Sequence, residues 1–191
     1  SNFIKKNKII NVPYSVDNNF FNSIKKKNNT KKIFLTVAKF QHRKGYDILL
    51  NSIKFLKLKY RKNFKCEFWF VGDGETKKDC IKFVKENKIT NVRFFPFQNQ
   101  KQLKRYYMKS DIFILPSRLE PWGLVINEAM ASSNAIICSD CVGSSYDIVK
   151  KNSNGFTFKT ESYVDLADKI EFFLNQKNIS TYQKNSYKII S

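Results

Sequence analysis

The chain is poor in the residues that build metal centres and disulfide frameworks. Its 191 residues include one histidine, His42, and four cysteines, Cys66, Cys80, Cys138 and Cys141. Cys138 and Cys141 have metal-like spacing, but no second Cys/His pair accompanies them, which argues against a structural zinc site. A chain of this length with 42% hydrophobic residues fills a core without covalent staples. Reduced thiols in a cytoplasmic compartment, and no disulfide, are therefore expected. No apolar run approaches the roughly 18 residues of a spanning helix, and nothing resembles a signal peptide, so any membrane contact should be peripheral. Acids are also scarce, with 16 Asp and Glu against 35 Lys and Arg and a formal net charge of +19. Arginine occurs only at Arg43, Arg61, Arg93, Arg105 and Arg118, so lysine carries most of the charge. Such charge is either a set of solvated faces or footing for anionic lipid headgroups, nucleic acid or phosphorylated substrates. The aromatics fall at strand and helix core positions rather than between lysines on one face, which disfavours nucleic acid as a partner.

What is present is a regular alternation. Residues 1 to about 30 are rich in lysine and asparagine and read as a linker with one anchored segment, Val12-Pro-Tyr-Ser-Val-Asp17 with Phe20-Phe21. From residue 31 onward the pattern is that of one α/β domain. Strands are expected at Ile33–Ala38, Cys66–Val71, Val92–Phe95, Ile112–Leu115, Ala135–Cys138 and Gly155–Phe158. Helices are expected at Tyr46–Arg61, Thr76–Asn87, Gln100–Met108, Gly123–Ser132, Ser145–Lys150 and Tyr163–Asn175. Runs such as Ile112-Phe-Ile-Leu115 are apolar on both faces, as parallel strands covered by helices require. The fold class is a Rossmann-like, doubly wound parallel sheet.

Three strand-end segments carry chemistry. After the first strand, Lys39, Arg43 and Lys44 stand between a strand's carboxyl end and a helix's amino end, where cations and unpaired N–H groups suit a diphosphate. An exposed basic loop is the alternative. Gly72-Asp73-Gly74 is a second strand-end turn, in which Gly72 and Gly74 would let a ligand approach the backbone. It lacks the third glycine of a dinucleotide fingerprint, so ordinary turn chemistry explains it equally well. The third segment, Glu120-Pro-Trp-Gly-Leu-Val-Ile-Asn-Glu128, sets one carboxylate in a loop and a second inside an apolar helix, an arrangement suited to a polyol. Gly123 removes side-chain bulk at the helix start, where the amides of Leu124 and its neighbour can hold a phosphate or a hydroxyl. Glu128 can accept two hydrogen bonds from a vicinal diol such as ribose. Otherwise Glu120 serves the helix dipole and Glu128 is a surface residue. Flanked by Ile126, Ala129 and Met130, Glu128 needs a partner.

These pieces stand in the order of a known family. With Pro116-Ser117, Glu128-Ala-Met-Ala131 and Asn154-Gly-Phe156 added, the chain resembles the C-terminal half of retaining GT-B glycosyltransferases of the GT4 family (glycosyl transferases group 1) over nearly its whole length. The resemblance implies a nucleoside diphosphate sugar as substrate, with Lys44 on the diphosphate, Glu120 and the Gly123 region on the transferred sugar, and Glu128 on the ribose. It further implies a donor-binding domain whose N-terminal acceptor domain is missing from this chain, residues 1–30 then being the interdomain hinge. The sequence departs from the family pattern in reading Ala38-Lys39 for the usual Gly-Arg, which trades a guanidinium fork for a point charge. It also reads Phe97-Gln98 where the family has an uncharged glycine-containing turn.

The acceptor implied is a glycan or lipid-linked saccharide, with an anionic membrane surface as a further partner, and a UDP-sugar is the favoured donor. No Asp-x-Asp cluster is present, so the lysines are expected to neutralise the diphosphate without a divalent metal. Other readings are a non-catalytic nucleotide-binding or scaffold module, since fold alone does not decide function, and a sugar-nucleotide epimerase on the same fold.

Overall fold

A computed structural model describes residues 16–22, 31–61 and 64–191. Of the expected hinge, residues 1–15 and 23–30 lie outside the described residues. Six strands form one sheet: β1 (Lys32–Val37), β2 (Cys66–Val71), β3 (Val92–Phe95), β4 (Ile112–Leu115), β5 (Ala135–Ser139) and β6 (Gly155–Phe158). Their spatial order is β3-β2-β1-β4-β5-β6, and every neighbouring pair is parallel. β4 and β5 are buried along their whole length, whereas the edge strand β3 is only partly covered. That gradient explains why the central strands read as continuous apolar runs.

Helices cover both faces. On one side α2 (Tyr46–Tyr60), α3 (Lys77–Glu86) and α7 (Tyr163–Asn175) pack on a cluster that includes Leu49, Ile53, Phe68, Phe70, Ile137 and Phe173. On the other, α1 (Asn18–Phe21), α4 (Gln100–Lys109) and α5 (Leu124–Ala131) enclose Phe21, Val37, Tyr107, Phe113, Ile126 and Met130. The short α6 (Ser145–Ile148) follows β5, and α8 (Ser180–Ile190) runs from the first cluster at Tyr182 to the second at Ile189 and Ile190. α4 begins with a reciprocal cap, in which Asn99 Oδ1 accepts from Gln102 N and Gln102 Oε1 accepts from Asn99 N.

The doubly wound parallel sheet expected from the sequence is therefore present, with most strand and helix limits where expected and the others shifted by one or two residues. The helix expected to reach Lys150 stops at Ile148, and α1 and α8 were not expected. α1 is held by burial of Phe21 and by Ser132 Oγ, which donates to Phe21 O at 2.9 Å. α8 is tied down by Asn185 Nδ2, which donates to Ser153 O at 3.0 Å, and by Asn18 Nδ2, which donates to Ile190 O at 2.7 Å. All four cysteines are free, with Cys66, Cys80 and Cys138 buried and Cys141 exposed. Among the described residues no helix is long and apolar enough to cross a membrane.

Candidate functional site

The strand order reverses between β1 and β4, which opens a crevice at their carboxyl ends. The loops after β1, β2 and β4 meet there, and glycines make their close packing possible. Gly45 has φ +68, and a Cβ on it would stand 1.9 Å from Pro116 O. Arg118 N donates to Arg43 O at 2.8 Å, joining the same two loops through their backbones. The β1–α2 loop is further anchored by Phe40, whose ring stacks on Tyr46 at 4.0 Å, and by the Tyr46 hydroxyl, which donates to Ala38 O at 3.0 Å.

Lys44 and Glu120 are brought together. The Lys44 ammonium donates to Glu120 Oε2, and both side chains are largely buried, at 12% and 13% exposure. One cation of the β1–α2 loop thus faces the loop carboxylate of the Glu120–Glu128 segment, across 76 residues of sequence. Glu120 is fixed from behind by Gly143 N, which donates to its carbonyl at 3.0 Å, and Ser144 N donates to Trp122 O at 3.1 Å. Lys39 is exposed on the rim, so the basic loop holds one paired and one solvated lysine.

The α5 amino end follows directly. Gly123 occupies the N-cap with φ 90 and no side chain caps the helix; of the first-turn N–H groups, that of Ile126 donates to Gly123 O at 2.8 Å. Val125 borders a cavity of about 300 Å³ at the carboxyl ends of β1 and β2, lined also by Val37, Lys39, Gly72, Phe97 and Leu103. Phe97 is 73% exposed, and its N–H is already taken by Asp73 Oδ2 at 2.7 Å. The space beside Gly72 and Gly74 is filled by the protein itself: a Cβ would meet Ala38 O at 2.1 Å and Phe40 O at 2.4 Å. Their missing side chains therefore serve loop-on-loop packing.

Glu128 lies one turn beyond Val125 on the same side of α5. The partner its setting demands is the Tyr107 hydroxyl, which donates to Glu128 Oε2 at 2.8 Å. Burial pushes the Glu128 carboxyl above its ordinary value, partly offset by the tyrosine hydrogen bond. Two contributors were not singled out from sequence. Tyr107 had no signal beyond helix periodicity. Arg118, noted only as one of five arginines, donates to both oxygens of Asp47 at 2.7 and 2.6 Å, to both oxygens of Glu161 at 2.5 and 3.0 Å, and to His42 O at 2.8 Å. It pins the loop that carries Glu120 to α2 and to the turn before α7.

An anion arriving at this crevice meets Lys39, Lys44 and the open α5 end, beside an apolar cavity and a carboxylate held in place by tyrosine. Among the described residues no group of three or more His, Cys, Asp or Glu side chains is placed to hold a metal ion.

Residues 17–189 match the family model described as glycosyl transferases group 1. An uncharacterized glycosyltransferase of Methanocaldococcus jannaschii is 30% identical over 145 residues, covering 76% of this chain and 39% of that protein. A Campylobacter jejuni protein named GalNAc-alpha-(1->4)-GalNAc-alpha-(1->3)-diNAcBac-PP-undecaprenol alpha-1,4-N-acetyl-D-galactosaminyltransferase is 26% identical, covering 97% of this chain and 50% of its own length. The chain thus spans about half the length, or less, of these curated relatives. In fold it matches the C-terminal domain of a group 1 family protein from Francisella tularensis, with a TM-score of 0.78, 20% identity, and coverage of 92% of this chain and 96% of that one.

Proposed function

This chain belongs to the glycosyl transferases group 1, and on that premise we propose that it is the donor-binding domain of a retaining enzyme. The reaction is transfer of a sugar from a nucleoside diphosphate sugar, a UDP-sugar first, to the hydroxyl of a glycan or lipid-linked acceptor on the cytoplasmic side. The observation that carries this reading is the Lys44–Glu120 pair at the β1/β4 crevice beside the uncapped amino end of α5.

In this reading the base occupies the cavity between Val37, Gly72, Phe97 and Val125, and Glu128 accepts from the ribose hydroxyls. Tyr107 holds Glu128 for that task. As the bond from sugar to phosphate breaks, negative charge grows on the leaving oxygen. Lys44, Lys39 and the α5 amides stabilise that charge without reorganising. Glu120, already beside Lys44, faces the transferred sugar. An acceptor domain outside this chain completes the cleft, and closure excludes water. A non-catalytic scaffold would have no evident use for both the Lys44–Glu120 and the Tyr107–Glu128 pairs.

Calorimetric titration of this chain with UDP, GDP and ADP tests the reading. Selective binding of one nucleotide, weakened by Lys44→Ala and by Glu128→Ala, is the expected result. Binding that neither substitution changes, or no binding of any of the three, overturns it.

A further inference from the structure

The charge of this domain is distributed unevenly between the two faces of its sheet. On the face of α2, α3 and α7, acids accompany the lysines, and Lys59–Glu171, Lys82–Glu86 and Lys169–Asp165 form ion pairs. The helix α4 on the other face and α8, which crosses from the first cluster to the second, contain no acidic residue at all. They carry Lys101, Lys104, Arg105, Lys109, Lys184 and Lys188. These helices form one continuous surface through α1: the Lys104 ammonium sits 5.2 Å over the Phe20 ring, Phe21 packs edge-on against Tyr107, and Asn22 Nδ2 donates to the Tyr187 hydroxyl at 3.0 Å. The one acid on α1's edge, Asp17, is occupied in capping that helix.

At the edge of this surface the sheet is incompletely covered. A cavity of about 470 Å³ opens between β3 and α4, with Trp69, Phe95 and Tyr106 as its apolar wall and Gln102, Arg105 and Arg93 around it, Arg93 being paired with Glu67 at 3.0 Å. These rings stand at strand and helix positions packed on the core, as expected from sequence, but their open edge borders the cations. The three rings pack edge-to-face on one another, at 65°, 83° and 64°, and so do not form the stepped platforms on which successive bases stack. Met108 adds an exposed aliphatic side chain to the same helix. A basic helix, aromatics at its flank and Arg105 beside the Glu67-paired Arg93 match a phospholipid headgroup layer, where lysine supplies attraction, arginine grips phosphate and the rings sit at the interface.

We propose that the α4–α1–α8 face is a docking surface for an anionic phospholipid bilayer, with the Arg93/Arg105 cavity seating a headgroup phosphate. The headgroup cavity adjoins the nucleotide site, with Gln98 lining both cavities and α4 supplying Leu103 to the second, so the nucleotide titration of each variant tells failure of one reading from failure of the other.

The test is co-sedimentation of this chain with vesicles of phosphatidylcholine containing phosphatidylglycerol, at low and moderate salt. Wild type is compared with Lys101→Glu/Arg105→Glu/Lys188→Glu and with Lys78→Glu/Lys82→Glu/Lys85→Glu, which makes the same change in net charge on the opposite face. Thermal melts and nucleotide titrations of both variants check folding and the separate site. The α4–α8 variant is expected to lose about a hundredfold or more in partitioning, at about fivefold for each basic residue removed, while the α3 variant stays within about threefold of wild type. Equal loss in both variants would make the effect one of bulk charge and overturn the assignment. So would unchanged binding in the first variant, or absence of vesicle binding by wild type at low salt. Capture of a short single-stranded oligonucleotide by this face, without vesicle binding, would equally reject the lipid occupant.

Discussion

The hydroxyl of Tyr107, on α4, is the fixed donor for the carboxylate of Glu128, on α5, at 2.8 Å. Tyr107 is fully buried, so the donor cannot swing away. Burial raises the Glu128 carboxyl above its ordinary value of 4.5. A group with a raised native pKa stabilises the fold most below its unfolded value and loses that contribution as pH rises through the native value. At neutral pH the ionised carboxylate is therefore held at a cost to stability. Glu128→Gln is expected to raise stability by about 1 kcal/mol at pH 7, an advantage that fades by about pH 4, while weakening nucleotide binding. Thermal melts across that pH range and a UDP titration check both halves. Tyr107→Phe should push the carboxyl higher still and move the acid limb of nucleotide binding to higher pH.

Arg118 ties the β4–α5 loop to α2 through the two-pronged contact with Asp47 and to Glu161 through a second pair of bonds. Burial alone would raise the Asp47 carboxyl, but the Arg118 hydrogen bonds and charge outweigh it and hold it below the usual 3.8. That stabilisation is present above the unfolded value and is lost as pH falls through the native one. Because Asp47 and Glu161 are both more than half exposed, solvent screening keeps the expected cost of Arg118→Ala to about 1 kcal/mol at pH 7, and the gap from wild type should narrow below about pH 4. Arg118→Lys keeps the charge but not the fork and should recover only part of the loss. Denaturant melts at pH 7 and pH 3.5 measure both.

Period and punctuation made the sheet legible. Four-residue strands such as Ile112–Leu115 have matching ends in sequence and structure because full burial on both faces leaves an unbroken apolar run. α8 was not legible, because Ser180-Thr-Tyr-Gln-Lys-Asn-Ser-Tyr places a serine, Ser186, at its buried position and depends on contacts to Ser153 and α1. Within the site, Lys44 and Glu120 could each be picked out from their place at strand and helix ends. The residues that hold the site in shape could not, since Tyr107 and Asp47 find their partners 21 and 71 residues away. Gly72 and Gly74 were read as letting a ligand approach the backbone, and where their Cβ atoms would stand the neighbour is the protein's own β1–α2 loop.

Gly45 is a sharper case of the same packing. It combines φ +68 with a Pro116 carbonyl where a Cβ would stand, and Pro116 begins the loop that carries Glu120. Gly45→Ala should cost about 2–3 kcal/mol, from left-handed backbone strain together with a contact that backbone cannot easily yield. Loosening the two loops should also separate Lys44 from Glu120. The expected outcome is a lowered melting temperature together with weaker nucleotide binding, read by a thermal melt and by titration below the new transition.

The Lys44–Glu120 pair yields a prediction in which the two partners move in opposite directions. With no anion bound, Glu120 neutralises the cation that the proposed diphosphate would use. Removing the carboxylate charge by Glu120→Gln frees Lys44, so UDP alone should bind about fivefold more tightly, the scale of one competing ion pair. Lys44→Ala removes a charge-assisted hydrogen bond to phosphate and should weaken UDP binding by about tenfold to a hundredfold. In the enzyme completed by its acceptor domain, both variants should lose turnover, since Glu120 is then required on the sugar and Lys44 on the leaving group. Tighter UDP binding with lower transfer in Glu120→Gln separates a sugar-facing carboxylate from one that only holds the loop, because a merely structural Glu120 would weaken UDP binding when neutralised.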